Sequence, residues 1–484
     1  MHLTRKILIA TSILTLGFST TFGQLVAPPP YVAGNPFTDV LFGNPFTDLS
    51  FLGAGARAHA MGGAFYAVSD DASAISWNPA GLIEMNKEQM ALSFHHTSAK
   101  NDYSGNFASG GTIPFGGDIS QGVDQLAYAA VVLPFEFKGR EFVGSASIPN
   151  TVSEMRGVDF RDTLGLTHEI NGRLSKASLG LATKINSKIS AGLAVNIYGH
   201  GYDRNGLATF ELSPPPDDTV QIYHPKVKST FSGWNVTIGG MLKADKFRAA
   251  VVFKSPFTEG SPLKENMDMR IVSDIVVNGV ANPGGAPSGI LFKTKREWIL
   301  PAILGFGLAY QLSENFLLAA DYDYNPMSKA WVRVQSDLIN PGSGFEALEL
   351  DWYNIHQIRL GGEYKFTVNR FTIPVRAGYR NDPKVFGSTD ENALFLASGS
   401  LWDFSSGSAV IAHPGTGSQV KGSVISFGSG IAFGQVNFDV SWEFSNYDWE
   451  ERGLQQSDQF QLVPFYRKSE ASNNRFIFNF TGIF

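Results

Sequence analysis

The chain has 484 residues, among them 38 Phe, 51 Gly and no Cys, with 17% charged residues and a net charge of −6. Without cysteine no disulfide framework can hold the fold, and the acidic balance excludes a basic nucleic-acid footprint.

The first residues, MHLTRKILIATSILTLGFSTTFGQ, read as an export leader. Arg5 and Lys6 precede an apolar run from Ile7 to Leu16, and small residues follow up to Gly23. A signal peptide over 1–23, cleaved after Gly23, is expected. The run is too short, and too polar at Thr11 and Ser12, to be a membrane span. Its removal takes the 38 basic residues to 36 against 44 acidic ones, a net charge of −8. No later stretch offers about eighteen consecutive apolar residues, so transmembrane helices are not expected. An exported chain can still span a membrane as a closed β-barrel.

Residues 24–87 show no alternation over any useful length. They open with a tandem GNPFTD, at 34–39 and 43–48, whose Asn-Pro pairs set turns. The stretch AHAMGGAFYAVSDDASAISWNPAGL at 58–82 follows, rich in Gly and Ala. Small residues let a backbone lie close to a wall, so 24–87 is read as an N-terminal extension and a plug inside a barrel. Asp70, Asp71 and Ser73 are placed to cap a short helix over Ala74–Trp77, which Asn78-Pro79 would end. Asn78, Pro79 and Ala80 form the expected anchoring corner: a short amide, a fixed φ and a small side chain. Phe65, Tyr66, Ile75, Trp77 and Leu82 either offer apolar contacts to a ligand or simply pack the plug.

Period-two alternation dominates from residue 88 to 484. In 437–444, Phe438, Val440, Trp442 and Phe444 share one face and Asp439, Ser441 and Glu443 the other. In 316–324, Phe316, Leu318, Ala320, Tyr322 and Tyr324 oppose Asp321 and Asp323. Strands are predicted at 88–97, 123–134, 141–149, 174–185, 188–198, 231–243, 247–254, 299–310, 316–324, 353–365, 371–380, 421–433, 437–446 and 474–484, a total of 14. The run at 460–468 is assigned to the last long loop, as a strand extension, because an odd count breaks barrel parity.

Alternation alone leaves open which face points inward. The connections decide: short links near 135–140, 186–188, 244–246, 311–315, 366–370 and 434–436 alternate with long polar segments. Outer-membrane barrels sort their loops this way, with short turns on the periplasmic side. The last strand places Phe476, Phe478, Phe480 and Phe484 on one face, which resembles the signal read by the outer-membrane barrel assembly machinery. The fold expected is therefore all-β, a 14-stranded antiparallel transmembrane barrel with an N-terminal plug in its lumen.

Arg359 and Glu363 share the polar face of one strand, and Arg376 and Arg380 that of its neighbour. Three guanidiniums together could hold a ligand carboxylate bidentately, or form an internal ion-pair ladder with Glu363, Asp321 and Asp323. An enzyme is not expected. His95 and His96 are adjacent on a strand and point to opposite faces, and no HExxH, nucleophile elbow or P-loop is present. Neither a metal, a cofactor nor a catalytic residue is assigned.

The segment GARAHAMGGAFYAVSDDASAISWNPAGL strongly resembles the N-terminal plug of the FadL/TodX outer-membrane transporters of hydrophobic compounds. LPAILGFGLAYQLSENFLLAADYDY at 300–324 and the IRLGGEYKF and IPVRAGYRNDP runs within 358–383 are similar to that family's later strands. The resemblance implies a 14-stranded barrel with a hatch and passive, gated uptake of long-chain fatty acids or other hydrophobic small molecules. A ligand would be captured between outer loops, freed by hatch movement and released through a lateral opening. It implies as partners an apolar ligand and outer-membrane lipid. The duplicated GNPFTD departs from the family pattern. A same-fold barrel acting as a secretion-system adaptor is the competing reading, whereas an open diffusion porin conflicts with a filled lumen.

Overall fold

The computed structural model describes residues 52–484 apart from 109–111, 157–158, 163–166, 214–218, 278–279, 282–287, 337–343, 351, 389–392, 396–400, 404–407, 411–416 and 457–461. The leader and both GNPFTD copies lie outside the described residues.

Fourteen antiparallel strands close into a barrel. They are β1 (Gln89–Ala108), β2 (Thr112–Phe137), β3 (Arg140–Arg156), β4 (Thr167–Lys184), β5 (Ile189–Ser213), β6 (Thr219–Ala244) and β7 (Phe247–Lys254). The second half comprises β8 (Ile303–Ser313), β9 (Phe316–Asn325), β10 (Ile355–Val368), β11 (Phe371–Gly387), β12 (Gln419–Phe433), β13 (Val436–Gln456) and β14 (Leu462–Ile483). Each pairs with its sequence neighbour, and β1 pairs with β14 from Gln89↔Ile483 to Phe107↔Phe465, which closes the ring. The predicted cores are all present, but most strands run further at the loop end. Residues 462–468 of the run assigned to the last loop begin β14.

Short turns join the strands at one rim. At 138–139, Lys138 (φ 49°) and Gly139 (φ 72°) are both left-handed, as a two-residue hairpin matched to strand twist requires. The wall is inside-out relative to a soluble sheet. In β8, Leu304, Phe306, Leu308 and Tyr310 are exposed while the alternate residues are covered. In β13, Phe438, Trp442 and Phe444 are exposed, and Ser441 and Glu443 are buried. Apolar residues that face out all round a closed ring face lipid.

At the other rim the strands continue beyond this apolar band. The outer half of β6 leaves β7 and pairs with Leu263–Val277, which pairs with Ser288–Ile299, which pairs with Trp331–Ser336. This outer sheet is separated from β7, β8 and β9 by ladder breaks holding Pro256, Pro262, Pro301 and Pro326. Proline has no N–H to give a ladder, so it fixes where each pair breaks. A second interruption lies in the wall. The β2–β3 ladder stops at Ala129↔Ile148 and resumes only where Gly117–Ser120 meets Asp159–Asp162. Among the described residues, 121–128 of β2 therefore lack a ladder partner on that side.

Candidate functional site: the filled lumen

Residues 52–88 run through the barrel interior. The helix α1 (Ala56–Ala60) lies against β11, β12, β13 and β14, while the 3-10 turn Pro79–Glu84 lies against β3, β4, β5 and β6 on the far side. The helix α2 (Ala74–Trp77) sits between them, over the residues expected from sequence. The segment thus bridges opposite walls.

Its corner is Asn78. The side-chain Oδ1 accepts from Ala80 N (3.0 Å), which caps the 3-10 turn, with Pro79 at its first position. Asn78 Nδ2 donates to Tyr66 O (3.0 Å) and, weakly, to Gly240 O of β6 (3.4 Å). Asn78 and Ala80 are fully buried. The expected capping of α2 is corrected in part. Ser73 makes no side-chain cap bond; instead Asp71 Oδ1 accepts from Ser73 N (2.9 Å) and Ser73 Oγ (2.6 Å). Asp70 caps nothing, because two guanidiniums claim it: Arg57 at 2.5 Å and Arg248 at 3.4 Å.

The wall is notched to receive this backbone. A Cβ added at Gly378 would sit 2.0 Å from Gly62 N, at Gly361 2.4 Å from Met61 O, and at Gly192 2.3 Å from the Pro79 carbonyl carbon. No side chain fits such gaps, so these glycines set how closely the segment is seated.

Charged groups tie the segment to the β9–β13 side. Asp321 Oδ2 accepts from the backbone N–H of Phe65 (2.7 Å) and Tyr66 (2.9 Å), and Asp323 Oδ2 accepts from Tyr66 OH (3.1 Å). Arg359 donates to Asp323 (2.6 Å) and stacks over the Tyr66 ring at 4.7 Å. Arg57 forks onto Glu363 at 2.8 and 3.0 Å, and Arg376 bridges Glu363 (2.6 Å) to Asp439 (2.6 Å). His59 offers Nδ1 to Glu443 (3.0 Å) and Nε2 to Gly53 O (2.9 Å), while Arg380 donates to the same Glu443 oxygen. Burial alone would raise the Asp70 carboxyl, but Arg57 and then Arg248 hold it below its usual range. Burial wins at Asp71, whose carboxyl is pushed up.

The sequence-predicted residues fall in two groups. Phe65, Tyr66 and Trp77 pack together with Ala250, Val252 and Ala319 of the wall, and Ile75 and Leu82 pack against Tyr128, Ala182 and Ala194. All five are at most 1% exposed. Arg359, Arg376 and Arg380 come together on the lumen face, each committed to a carboxylate, which is the ladder alternative of the two readings.

Sequence reasoning missed the opposite end of the lumen. A buried apolar cluster spans the outer mouth, built from Tyr198 and Tyr202 of β5, Phe231 of β6, Phe257, Trp298, Leu300, Trp352 and Phe386. Tyr198 meets Phe257 edge-on at 5.1 Å, and Trp298 stacks on Trp352 at 6.3 Å. Glu265 and Arg296 lie within it, 3.7 Å apart, with Glu265 also accepting from Trp298 Nε1 (3.0 Å). Arg296 is 3% exposed, and its Nε and Nη1 have no hydrogen-bond partner. The inward positions of Leu263–Val277 and Ser288–Ile299 supply these groups, in stretches that sequence composition marks as polar loop.

A closed barrel with an apolar outer belt and short turns at one rim is an outer-membrane barrel, and residues 52–88 pack against its inner wall. The chain belongs to the outer membrane protein transport protein family (OMPP1/FadL/TodX), whose model matches residues 46–394. Its fold is that of a Pseudomonas aeruginosa FadL homologue (TM-score 0.58, 14% identity, 89% of this chain and 98% of that one). It is also similar to the Pseudomonas putida toluene transporter TodX (0.53, 16%, 89% and 98%) and the CymD monoaromatic hydrocarbon channel (0.52, 14%, 90% and 99%). Among curated proteins none matches this sequence. Members of the family are transport channels of the outer membrane and not enzymes.

Proposed function

We propose that the protein is a passive, gated channel taking up hydrophobic small molecules, long-chain fatty acids among them, through the outer membrane. The observation that carries this reading is the buried aromatic cluster at the outer mouth, directly above a lumen that residues 52–88 fill. An apolar solute gains by leaving water for such a cluster, at about 25 cal/mol per Å² covered. The carboxylate of a fatty acid would meet Arg296, whose Nε and Nη1 make no hydrogen bond and could donate to it in competition with Glu265. Passage inward then requires the N-terminal segment to act as a hatch, with Asn78-Pro79-Ala80 as its anchor. Phe65, Tyr66, Ile75, Trp77 and Leu82 would meet the ligand only once it shifts, and Arg359, Arg376 and Arg380 would seat the hatch. The interruption of the β2–β3 ladder at 121–128 suits a lateral exit. Arg173 of β4 spans it, donating to Gln125 Oε1 (3.2 Å) and Leu126 O (3.5 Å). The C-terminal aromatic strand suits recognition by the barrel assembly machinery.

The test is to extract the detergent-solubilised protein and identify bound compounds by mass spectrometry. Apolar monocarboxylates are expected, and Arg296→Gln should weaken their binding by about tenfold or more while sparing the matching alcohols. A barrel that carries no apolar compound and takes up none in vesicles would favour the secretion-adaptor reading instead.

A further inference from the structure

The outer sheet has a second face. Its inward positions close the apolar cluster, but its outward positions are basic. On β6 these are Lys226 and Lys228, on Leu263–Val277 they are Lys264 and Arg270, and on Ser288–Ile299 they are Lys293 and Lys295, all exposed. The register sets Lys226 against Arg270, Lys228 against Asp268, and Asp268 against Lys293. Directly opposed residues on one sheet face have Cβ atoms about 5 Å apart, so six cations share one continuous surface.

Two features separate this face from ordinary surface charge. The first is an excess of positive charge, six cations against the exposed carboxylates of Asp203 and Asp268. Some exposed lysines elsewhere are paired, as Lys184 is with Glu141, Lys243 with Glu84 and Lys468 with Glu470. Others, such as Lys188 and Lys246, are single charges at the opposite rim with no ion pair among the described residues, whereas here six cations share one face. None of the six forms an ion pair among the described residues. Asp203 and Asp268 are the carboxylates interleaved with them, and Glu297 is taken by Arg333 at 2.5 Å. Like charges crowded on one sheet face repel, and the chain as a whole is acidic.

The second feature is position. On the outward face of β6 the sequence from the short turn upward is Leu242, Gly240, Ile238, Val236 and Trp234, of which the leucine, isoleucine and tryptophan are exposed, then Ser232, Thr230, Lys228 and Lys226. The lipid-facing band ends on a tryptophan, a residue that settles at the membrane interface, and the cations begin just above it. Six residues separate Lys264 from Arg270, which at about 3.4 Å per residue and a tilt of about 40° covers roughly 15 Å along the membrane normal. That is the layer occupied by lipid headgroups.

We propose that this face binds the phosphorylated headgroups of outer-leaflet glycolipid. The lipid phosphates supply the balancing negative charge, and the cations hold the outer sheet down against the membrane surface. Attraction of a basic residue to an anionic surface is worth about fivefold in affinity per charge.

The proposal is tested with the full-length protein in nanodiscs of phosphatidylcholine doped with lipid A, reading lipid A retained per barrel by native mass spectrometry. Wild type should enrich lipid A over phosphatidylcholine. The variant Lys226→Gln, Lys228→Gln, Lys264→Gln, Arg270→Gln, Lys293→Gln and Lys295→Gln should lose that enrichment by more than a hundredfold. It should still fold, because all six side chains point away from the core, and heat-modifiable gel mobility checks this. Lys138→Gln, Lys188→Gln and Lys246→Gln at the opposite rim should leave retention unchanged. Dephosphorylated lipid A should not be enriched by wild type. Equal retention by the six-site variant, or equal enrichment of dephosphorylated lipid A, would overturn the assignment. So would heparin binding as tightly as lipid A, which would give the face to an extracellular polyanion.

Discussion

Replacing Asn78 with Ala is the sharpest probe of the hatch, because its amide joins three chain segments at one point. It holds Ala80 N and Tyr66 O at 3.0 Å each, with a weaker contact to Gly240 O on the wall. The site is fully buried, so water cannot replace the lost partners. Each of the two good bonds is worth about 1 kcal/mol net, and leaving both backbone groups unpaired raises the loss to at least about 2 kcal/mol. If that loss falls on the seated conformation alone, the ratio of open to closed hatch rises about thirtyfold. Barrel assembly is unaffected, since the strand ladders do not involve Asn78. Asn78→Ser gives a graded control: it can still cap the 3-10 turn but cannot reach Tyr66, so it should show about half the effect on a logarithmic scale. The assay is conductance in planar bilayers alongside uptake of a hydrophobic probe into vesicles. An Asn78→Ala barrel that assembles normally yet conducts and transports like wild type would refute Asn78 as the anchor.

Gly378→Ala would force its Cβ to within 2.0 Å of Gly62 N, so the segment must lift and conductance should rise; Gly122→Ala, with open space around it, should change nothing. If both variants match wild type in conductance, the wall notches do not seat the hatch. Asp70 predicts an acid response. Its carboxyl is held below its ordinary value of 3.8, so its contribution is complete above that value and disappears as pH falls through the lower folded value. Conductance should therefore step up only below about pH 4, and Asp70→Asn should show the raised level at neutral pH with no acid step. A wild-type profile flat through that window would remove Asp70 from the latch.

Much of the barrel was legible because its physics is periodic. Phe438, Val440, Trp442 and Phe444 alternate with Asp439, Ser441 and Glu443 whichever way the strand faces, and the sorting of short and long links settled that direction. The turn at Asn78 was legible for a local reason: proline fixes φ, and the short amide before it can cap the turn that follows. The partners of Arg57 and His59 were not. Glu363 and Glu443 lie 306 and 384 residues away in sequence, and only barrel closure brings them to α1. The apolar cluster escaped for a different reason. Trp298, Trp352 and Phe257 are spread through segments rich in Lys, Asp, Pro and Gly, and composition averages over the two faces of a strand. Alternation was present there, as Leu263, Glu265, Met267 and Met269 against Lys264, Asn266, Asp268 and Arg270, but turn residues on both sides disguised it.

Notched packing holds the segment on both sides of the lumen, at Gly192 and Gly239 and again at Gly361 and Gly378, but charged contacts are concentrated on one of them. On the β3–β6 side the contact is backbone against notched wall, with Pro79 over Gly192 and Asn78 over Gly239. Close packing of this kind is lost abruptly with small displacements, because dispersion falls steeply with distance. On the β9–β13 side polar and ionic contacts are added: Tyr66 OH with Asp323, Arg57 with Glu363, and a hydrogen bond between His59 and Glu443. A buried ion pair adds little net stability against its desolvation, yet breaking one partner away leaves a charge stranded at a cost of about 3–5 kcal/mol. The wall resolves that conflict by keeping its own charges paired. Arg376 also pairs with Glu363 and Arg380 with Glu443, so each of these wall carboxylates has a partner of its own in the wall. Under the proposed function, withdrawal of α1 would strand no carboxylate in the wall, and Arg376 and Arg380 would make the ionic side of the proposed hatch reversible.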